Sequence, residues 1–259
     1  MAWRSHGVSN DDLIQQLWRN QLITDERVRD AFLKVDRAHY APTHPYSDSP
    51  QSIGHAATIS APHMHASAIE RLLSYLLPTA RNPAPRVLDI GSGSGYLTHV
   101  MAELVGPRGT VLGIEHVPQL RDLAEANMRK SAEGTALLES GRVRFRVGDG
   151  RKGWVEPDGE RRAEEEQQDA ATVTSRGEGW DVIHVGAAAV TMHPELVEQL
   201  RAPGRMFIPV NDDDAGGGGG GERVGQHIWA VDKDENGKVE KKRLFAVRYV
   251  PLTDGPGER

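Results

Sequence analysis

One short apolar run, Arg86-Val-Leu-Asp-Ile-Gly-Ser-Gly-Ser-Gly-Tyr96, constrains this chain more than any other stretch. Val87 to Ile90 reads as a buried strand. Beyond the glycines, Leu97, Val100, Met101, Leu104 and Val105 recur at the spacing of one helical face. Glycines at 91, 93 and 95 let the backbone pass close to a ligand, and the following helix presents its free amides to the same place. Asp89, just ahead of the turn, can accept hydrogen bonds from a cationic or hydroxylated ligand. A dinucleotide site calls for Gly-x-Gly-x-x-Gly, and Tyr96 stands where the last glycine belongs. A tight strand-to-helix turn without any ligand fits the same letters.

A Gly-x-Gly-x-Gly pattern after an Asp-containing strand also resembles the nucleotide loop of S-adenosylmethionine (AdoMet) methyltransferases. The rest of the chain has to decide among these. At 259 residues it suits one α/β domain with additions. A formal net charge of −6 argues against a nucleic-acid backbone as the main partner. The opening residues form no apolar leader, and no run is long enough for a membrane span, so a cytoplasmic location is expected. With no cysteine, disulfides, thiolate metal sites and a cysteine nucleophile are excluded.

Around the glycine turn the pattern is that of a doubly wound sheet. Ser9 to Asp12 resembles a capping box ahead of a first helix, and Thr24 is a candidate cap for a second. Residues 36–62 are rich in Pro, Ser and His, too polar and irregular to be core; such segments are often functional. A helix is predicted over His65 to Leu77. Strands are predicted at Thr110 to Glu115, Val143 to Val147, Asp181 to Val185 and Arg205 to Val210, with a helix marked by Leu120, Leu123, Ala124 and Met128. Strands alternating with helices imply a mostly parallel sheet with its ligand at the carboxyl edge. Gln226 to Val231 and Arg243 to Val250 read as an antiparallel pair about Asn236-Gly237. The whole is expected to be one domain over 1–259: an N-terminal helical and covering part over 1–62, a core over 63–259, and polar inserts at about 156–179 and 211–223. Asp232-x-Asp234-x-Asn236-Gly237 opens like an EF-hand loop, but Arg243 replaces the twelfth-position glutamate and strands flank it. Calcium is rejected. His55, His63 and His65 lack the accompanying ligands of a zinc site, so no metal is expected.

Several stretches together are more discriminating. Pro45-Tyr-Ser-Asp-Ser-Pro-Gln-Ser-Ile-Gly54, Ala57-Thr-Ile-Ser-Ala-Pro-His-Met-His-Ala66, Gly148-Asp-Gly150, His184-Val-Gly-Ala-Ala188 and Tyr249-Val-Pro-Leu-Thr-Asp254 join the glycine loop. Over nearly the whole chain outside the inserts, they resemble the protein-L-isoaspartate O-methyltransferase family. That resemblance implies an AdoMet-type Rossmann-like fold with an antiparallel C-terminal pair. It also implies methyl transfer from AdoMet to the free α-carboxylate of L-isoaspartyl, and by extension D-aspartyl, residues in damaged proteins, leaving S-adenosylhomocysteine. The ester can then collapse to a succinimide and partly return to aspartate. A monomer acting on exposed peptides is implied.

Residue by residue, the resemblance assigns Ser60 to the active site, where an orienting hydrogen bond to the substrate carboxylate is expected. Ala57, Thr58, Ile59, Ser60 and His65 match the segment lining the cofactor. Asp89, Gly91 and Ser94 match the cofactor loop, Glu115 and His116 the ribose contacts, Asp149 and Gly150 the adenine edge, and Thr253 a late contact. Val185, Gly186 and Ala187 fall beside the methyl group and the substrate. Glu115 also lies about twenty residues past the turn, where an acidic side chain reaches ribose hydroxyls in nucleotide folds; without the loop it would read as an ordinary solvated carboxylate. Two rivals stand beside this reading. A small-molecule methyltransferase would need a closed substrate lid, whereas a non-catalytic module would have lost the cofactor residues.

Overall fold

The computed structural model describes residues 5–156, 179–212 and 225–252. Seven strands form its main sheet: β3 (Arg86–Ile90), β4 (Thr110–Glu115), β5 (Val143–Val147), β6 (Trp180–Val185), β7 (Leu200–Asn211), β8 (Gln226–Lys233) and β9 (Val239–Val247). Their order across the sheet is β5-β4-β3-β6-β7-β8-β9. The first five are parallel; β8 and β9 each pair antiparallel to the strand before. A separate hairpin joins β1 (Gln51–Gly54) to β2 (Ala57–Ile59).

Both faces of the central strands are buried, which is why they read as continuous apolar runs instead of alternating ones. Leu88, Ile90, Leu112, Ile114, Ile183 and Met206 face a core layer completed by Leu196 of α7 (Pro194–Gln199). Val87, Val111, Phe145, Val182 and Phe207 face the other layer, under α3 (Pro62–Leu76) and α4 (Tyr96–Leu104). That layer also receives α1 (Asn10–Arg19) and α2 (Glu26–Lys34), whose Leu13, Leu17, Val28 and Phe32 are buried. On the same flank α5 (Pro118–Met128) is followed by α6 (Ala132–Glu139), which the sequence pattern did not reveal.

Several local expectations change. Ser9 caps α1 through the Asp12 amide, but the Asp12 carboxylate returns to the Val8 amide, one residue earlier than a capping box would have it. Asp25, not Thr24, caps α2; the Thr24 hydroxyl donates to Glu70 at 2.7 Å instead. Helix α3 starts at Pro62, where a missing N–H costs nothing. Strand β9 runs from Val239, earlier than expected, because the Asp234 carboxylate closes a tight turn on the Asn236 and Lys238 amides. The segment over 36–62 is not all irregular surface: Arg37, Tyr40, Asp48, Ile53 and Ile59 are buried. The expected inserts are narrower than their assigned bounds. Glu156 is buried and paired with Arg144 at 2.8 Å, and Asn211 still belongs to β7. Residues 157–178 and 213–223 of the inserts lie outside the described residues.

Candidate active site

After β3 the chain builds outward through β4 and β5, then crosses back to lay β6 on the other side of β3. Strand order reverses there, and the two carboxyl ends open a crevice, the usual place for a ligand in such sheets. Gly91, Gly93 and Gly95 all take positive φ (74°, 52° and 83°), so the turn can be made only by residues free to adopt that region. A Cβ on Gly91 would point at the Gly186 carbonyl carbon, 3.7 Å away, and at Ala187 Cβ, 3.9 Å away. Glycine thus keeps the backbone bare where Val185, Gly186 and Ala187 leave β6. Gly150 comes in beside them: a Cβ there would strike Ile90 Cγ2 at 2.3 Å. A Gly91–Gly95 cradle of this kind fits a nucleotide-like cofactor lying over exposed backbone amides.

The carboxylates expected at this edge are present, but none is an ordinary solvated group. Glu115 is buried at the end of β4; one oxygen accepts from the Gly93 amide (3.1 Å) and the other from the His116 and Val117 amides (2.8 and 3.1 Å). His116 Nδ1 lies 2.9 Å from the same carboxylate. The oxygen that faces the Gly93 amide has a second lone pair, so a ribose hydroxyl can still donate to it. The Asp89 carboxylate meets Thr98 Oγ1 at 2.5 Å and His184 Nδ1 at 2.7 Å, inside the protein. In this structure it ties β3 to α4 and β6. Asp149 accepts from the Arg151 amide and makes a forked pair with its guanidinium, 2.7 to 3.2 Å. That hydrogen bonding with Arg151 holds the Asp149 carboxyl below its usual range.

The opposite wall comes from the N-terminal part. Hairpin β1–β2 lays Ile53 against the glycine turn, 3.4 Å from where a Gly93 Cβ would be. Its second strand carries Ala57, Thr58 and Ile59 directly into Ser60. The Ser60 carbonyl accepts from Arg37 Nη2 at 2.7 Å, and its side chain lies beside the Tyr249 phenol. Burial pushes that phenol up to about 12, and the Ser60 contact works against the rise. His63, three residues on from Ser60, pairs with the buried Asp48 at 2.7 Å. His65 is buried, and burial drives its imidazole well below its usual value, with Arg37 adding to the effect.

Three contributors escaped the sequence reading. Arg37 is wholly buried in a short 3₁₀ turn and touches both Ser60 and His65. Asn127, on α5, donates to the Ser94 carbonyl at 3.1 Å and so fixes the cofactor turn from behind. Tyr249 arrives because residues 250–252 pair with Ala188 and because Gln226 bonds both the Tyr249 amide and carbonyl. Thr253 lies outside the described residues. Among the described residues no cluster of three or more metal-ligating side chains occurs.

Comparisons with known proteins agree with this geometry. The family described as protein-L-isoaspartate(D-aspartate) O-methyltransferase (PCMT) matches residues 8–158 and 172–257. The break between the two matched stretches falls inside the first polar insert. A protein-L-isoaspartate O-methyltransferase of Caenorhabditis elegans is 43% identical over 98% of this chain and 96% of its own. One from Triticum aestivum is 39% identical over 94% of this chain and 91% of its own. Among solved structures, a Plasmodium falciparum protein described as a protein-L-isoaspartate O-methyltransferase, in complex with S-adenosyl-L-homocysteine, superimposes with a TM-score of 0.76. It is 30% identical and covers 95% of this chain and 99% of that one.

Proposed function

Since the chain belongs to the protein-L-isoaspartate(D-aspartate) O-methyltransferase family, we propose that its β3–β6 crevice is where a methyl group passes from AdoMet to the α-carboxylate of an isoaspartyl residue, with Ser60 orienting that carboxylate. The enzyme is an AdoMet-dependent methyltransferase acting on isoaspartyl residues of proteins and peptides. When bound, AdoMet supplies an electrophilic sulfonium methyl. The α-carboxylate is already ionised at neutral pH, so no side chain has to remove a proton from it. What the protein must provide is alignment and exclusion of water.

The residues divide that work. The turn over Gly91 to Ser94, backed by Asn127, and the carboxylate of Glu115 with His116 hold the nucleoside part. Asp149 and Gly150 border the base. Ala57 to Ile59, His65 and the Val185–Ala187 corner enclose the reacting end. Asp89 acts from inside, keeping the β3 and β6 ends in register. Placement of the enzyme in the cytoplasm, as a monomer and as one domain over 1–259, extends the proposal from the sequence.

The observation that carries the Ser60 role is its surroundings. His63, three residues on, is paired with the buried Asp48, and the phenol beside the serine is kept neutral by burial. A serine in that setting donates a hydrogen bond and is not activated as a nucleophile. Ser60→Ala should therefore lower isoaspartyl turnover roughly a hundredfold, with little change in AdoMet affinity. Ser60→Thr should keep more activity than alanine does. Mass spectrometry of enzyme mixed with AdoMet alone should find no methylated serine; finding it, or a fully active alanine variant, overturns the role.

A further inference from the structure

The Arg37 guanidinium bridges the N-terminal part to Ser60, expected in the active site, and His65, expected to line the cofactor. The short turn that carries it is anchored independently: Asp36 caps it through the Ala38 amide and accepts from the Tyr46 hydroxyl, and the Arg37 amide donates to Asn10. From there Nη2 reaches the Ser60 carbonyl at 2.7 Å and Nη1 lies 3.4 Å from His65 Nδ1. The guanidinium plane sits over the Tyr96 ring, 5.1 Å from its centroid.

Arginine has donors and no acceptor, and it keeps its proton here, since burial lowers it only to about 10. A ring nitrogen facing it must offer a lone pair. In a neutral imidazole only one nitrogen can do so, and the proton goes to the other. We propose that Arg37 is a positioning residue for methyl transfer: it fixes the Ser60 carbonyl and holds His65 in the tautomer whose proton is on Nε2. The same side chain thereby sets the serine backbone and makes His65 a donor, not a base, at the site. Other groups facing this ring leave that state undisturbed: Tyr96 from α4, His184 from β6, and His63 from its own helix. The effect on turnover rests on the Ser60 role proposed above, whereas the tautomer does not.

Long-range proton–nitrogen NMR of histidine-labelled enzyme tests this, with the His65 signals identified by their loss in His65→Gln. In the wild type, Nδ1 should resonate as an unprotonated acceptor and Nε2 as a protonated nitrogen. Arg37→Lys keeps the charge, but a single ammonium cannot bridge both acceptors. It should lower kcat roughly tenfold or more with KM for AdoMet little changed. Arg37→Met should shift His65 toward the other tautomer. A wild-type ring protonated on Nδ1 overturns the proposal even if the methionine variant fails to fold. So does a lysine variant with wild-type kcat. If Ser60→Ala is fully active while the wild-type tautomer is as stated, it is the Ser60 role that fails.

Discussion

His184 Nδ1 lies 2.7 Å from Asp89 Oδ1, joining the two strands between which the sheet reverses its order. Thr98 holds the other oxygen, so one buried carboxylate couples β3, β6 and α4 directly beneath the crevice. Hydrogen bonds to charged groups contribute about 1.5–3 kcal/mol each when their partner is removed. Asp89→Asn retains the size and loses the charge. We expect it to lower the urea midpoint by an amount equal to about 1–3 kcal/mol without changing the slope of the transition. A midpoint equal to wild type would show that the pair contributes nothing to the fold.

Glu115 accepts from the Gly93 amide, and the proposed function gives it the ribose hydroxyls. Glu115→Ala should weaken AdoMet binding about ten- to a hundredfold, the range expected when charge-assisted hydrogen bonds are lost. Isothermal titration calorimetry reads this directly. Unchanged affinity would remove Glu115 from the cofactor site.

His99, in the first turn of α4 behind the glycine turn, gives the protein a pH dependence. Its ring is buried on α4, Nδ1 is hydrogen-bonded to the Tyr40 hydroxyl at 2.5 Å, and burial lowers the imidazole from 6.5 to about 4. The unfolded chain therefore binds a proton that the folded state refuses anywhere between those values. Stability is complete above about pH 6.5 and falls as the pH drops toward 4, by roughly 3 kcal/mol from this residue alone. His65 acts in the same direction. His99→Gln should thus flatten the dependence of urea stability on pH between 6.5 and 4.5 without abolishing it. An unchanged slope would contradict this assignment.

How much of this was legible in the sequence depended on range. The β3–turn–α4 unit was legible because its determinants lie within eleven neighbouring residues, Arg86 to Tyr96, each consistent with the next. The strand ends carrying Glu115 and Val185 followed from apolar runs. Arg37 was not legible: its meaning comes from a hydrogen bond to Ser60 that no local pattern encodes. Asp89 was legible as an acceptor, but its protein partners were not: Thr98 and His184, the latter ninety-five residues later, reach it through tertiary contacts. Thr24 and Asp25 show the ordinary ambiguity of adjacent capping residues, resolved by Glu70 drawing the threonine away.

The central claim is that this enzyme methylates the α-carboxylate of isoaspartyl residues and passes over ordinary aspartate. It is tested most directly by offering two peptides identical except for that one linkage, with labelled AdoMet, and measuring base-labile methyl ester. Methyl transfer to the isoaspartyl peptide, with its aspartyl twin at background, is the predicted result. Equal labelling of both peptides, or of neither, would contradict it.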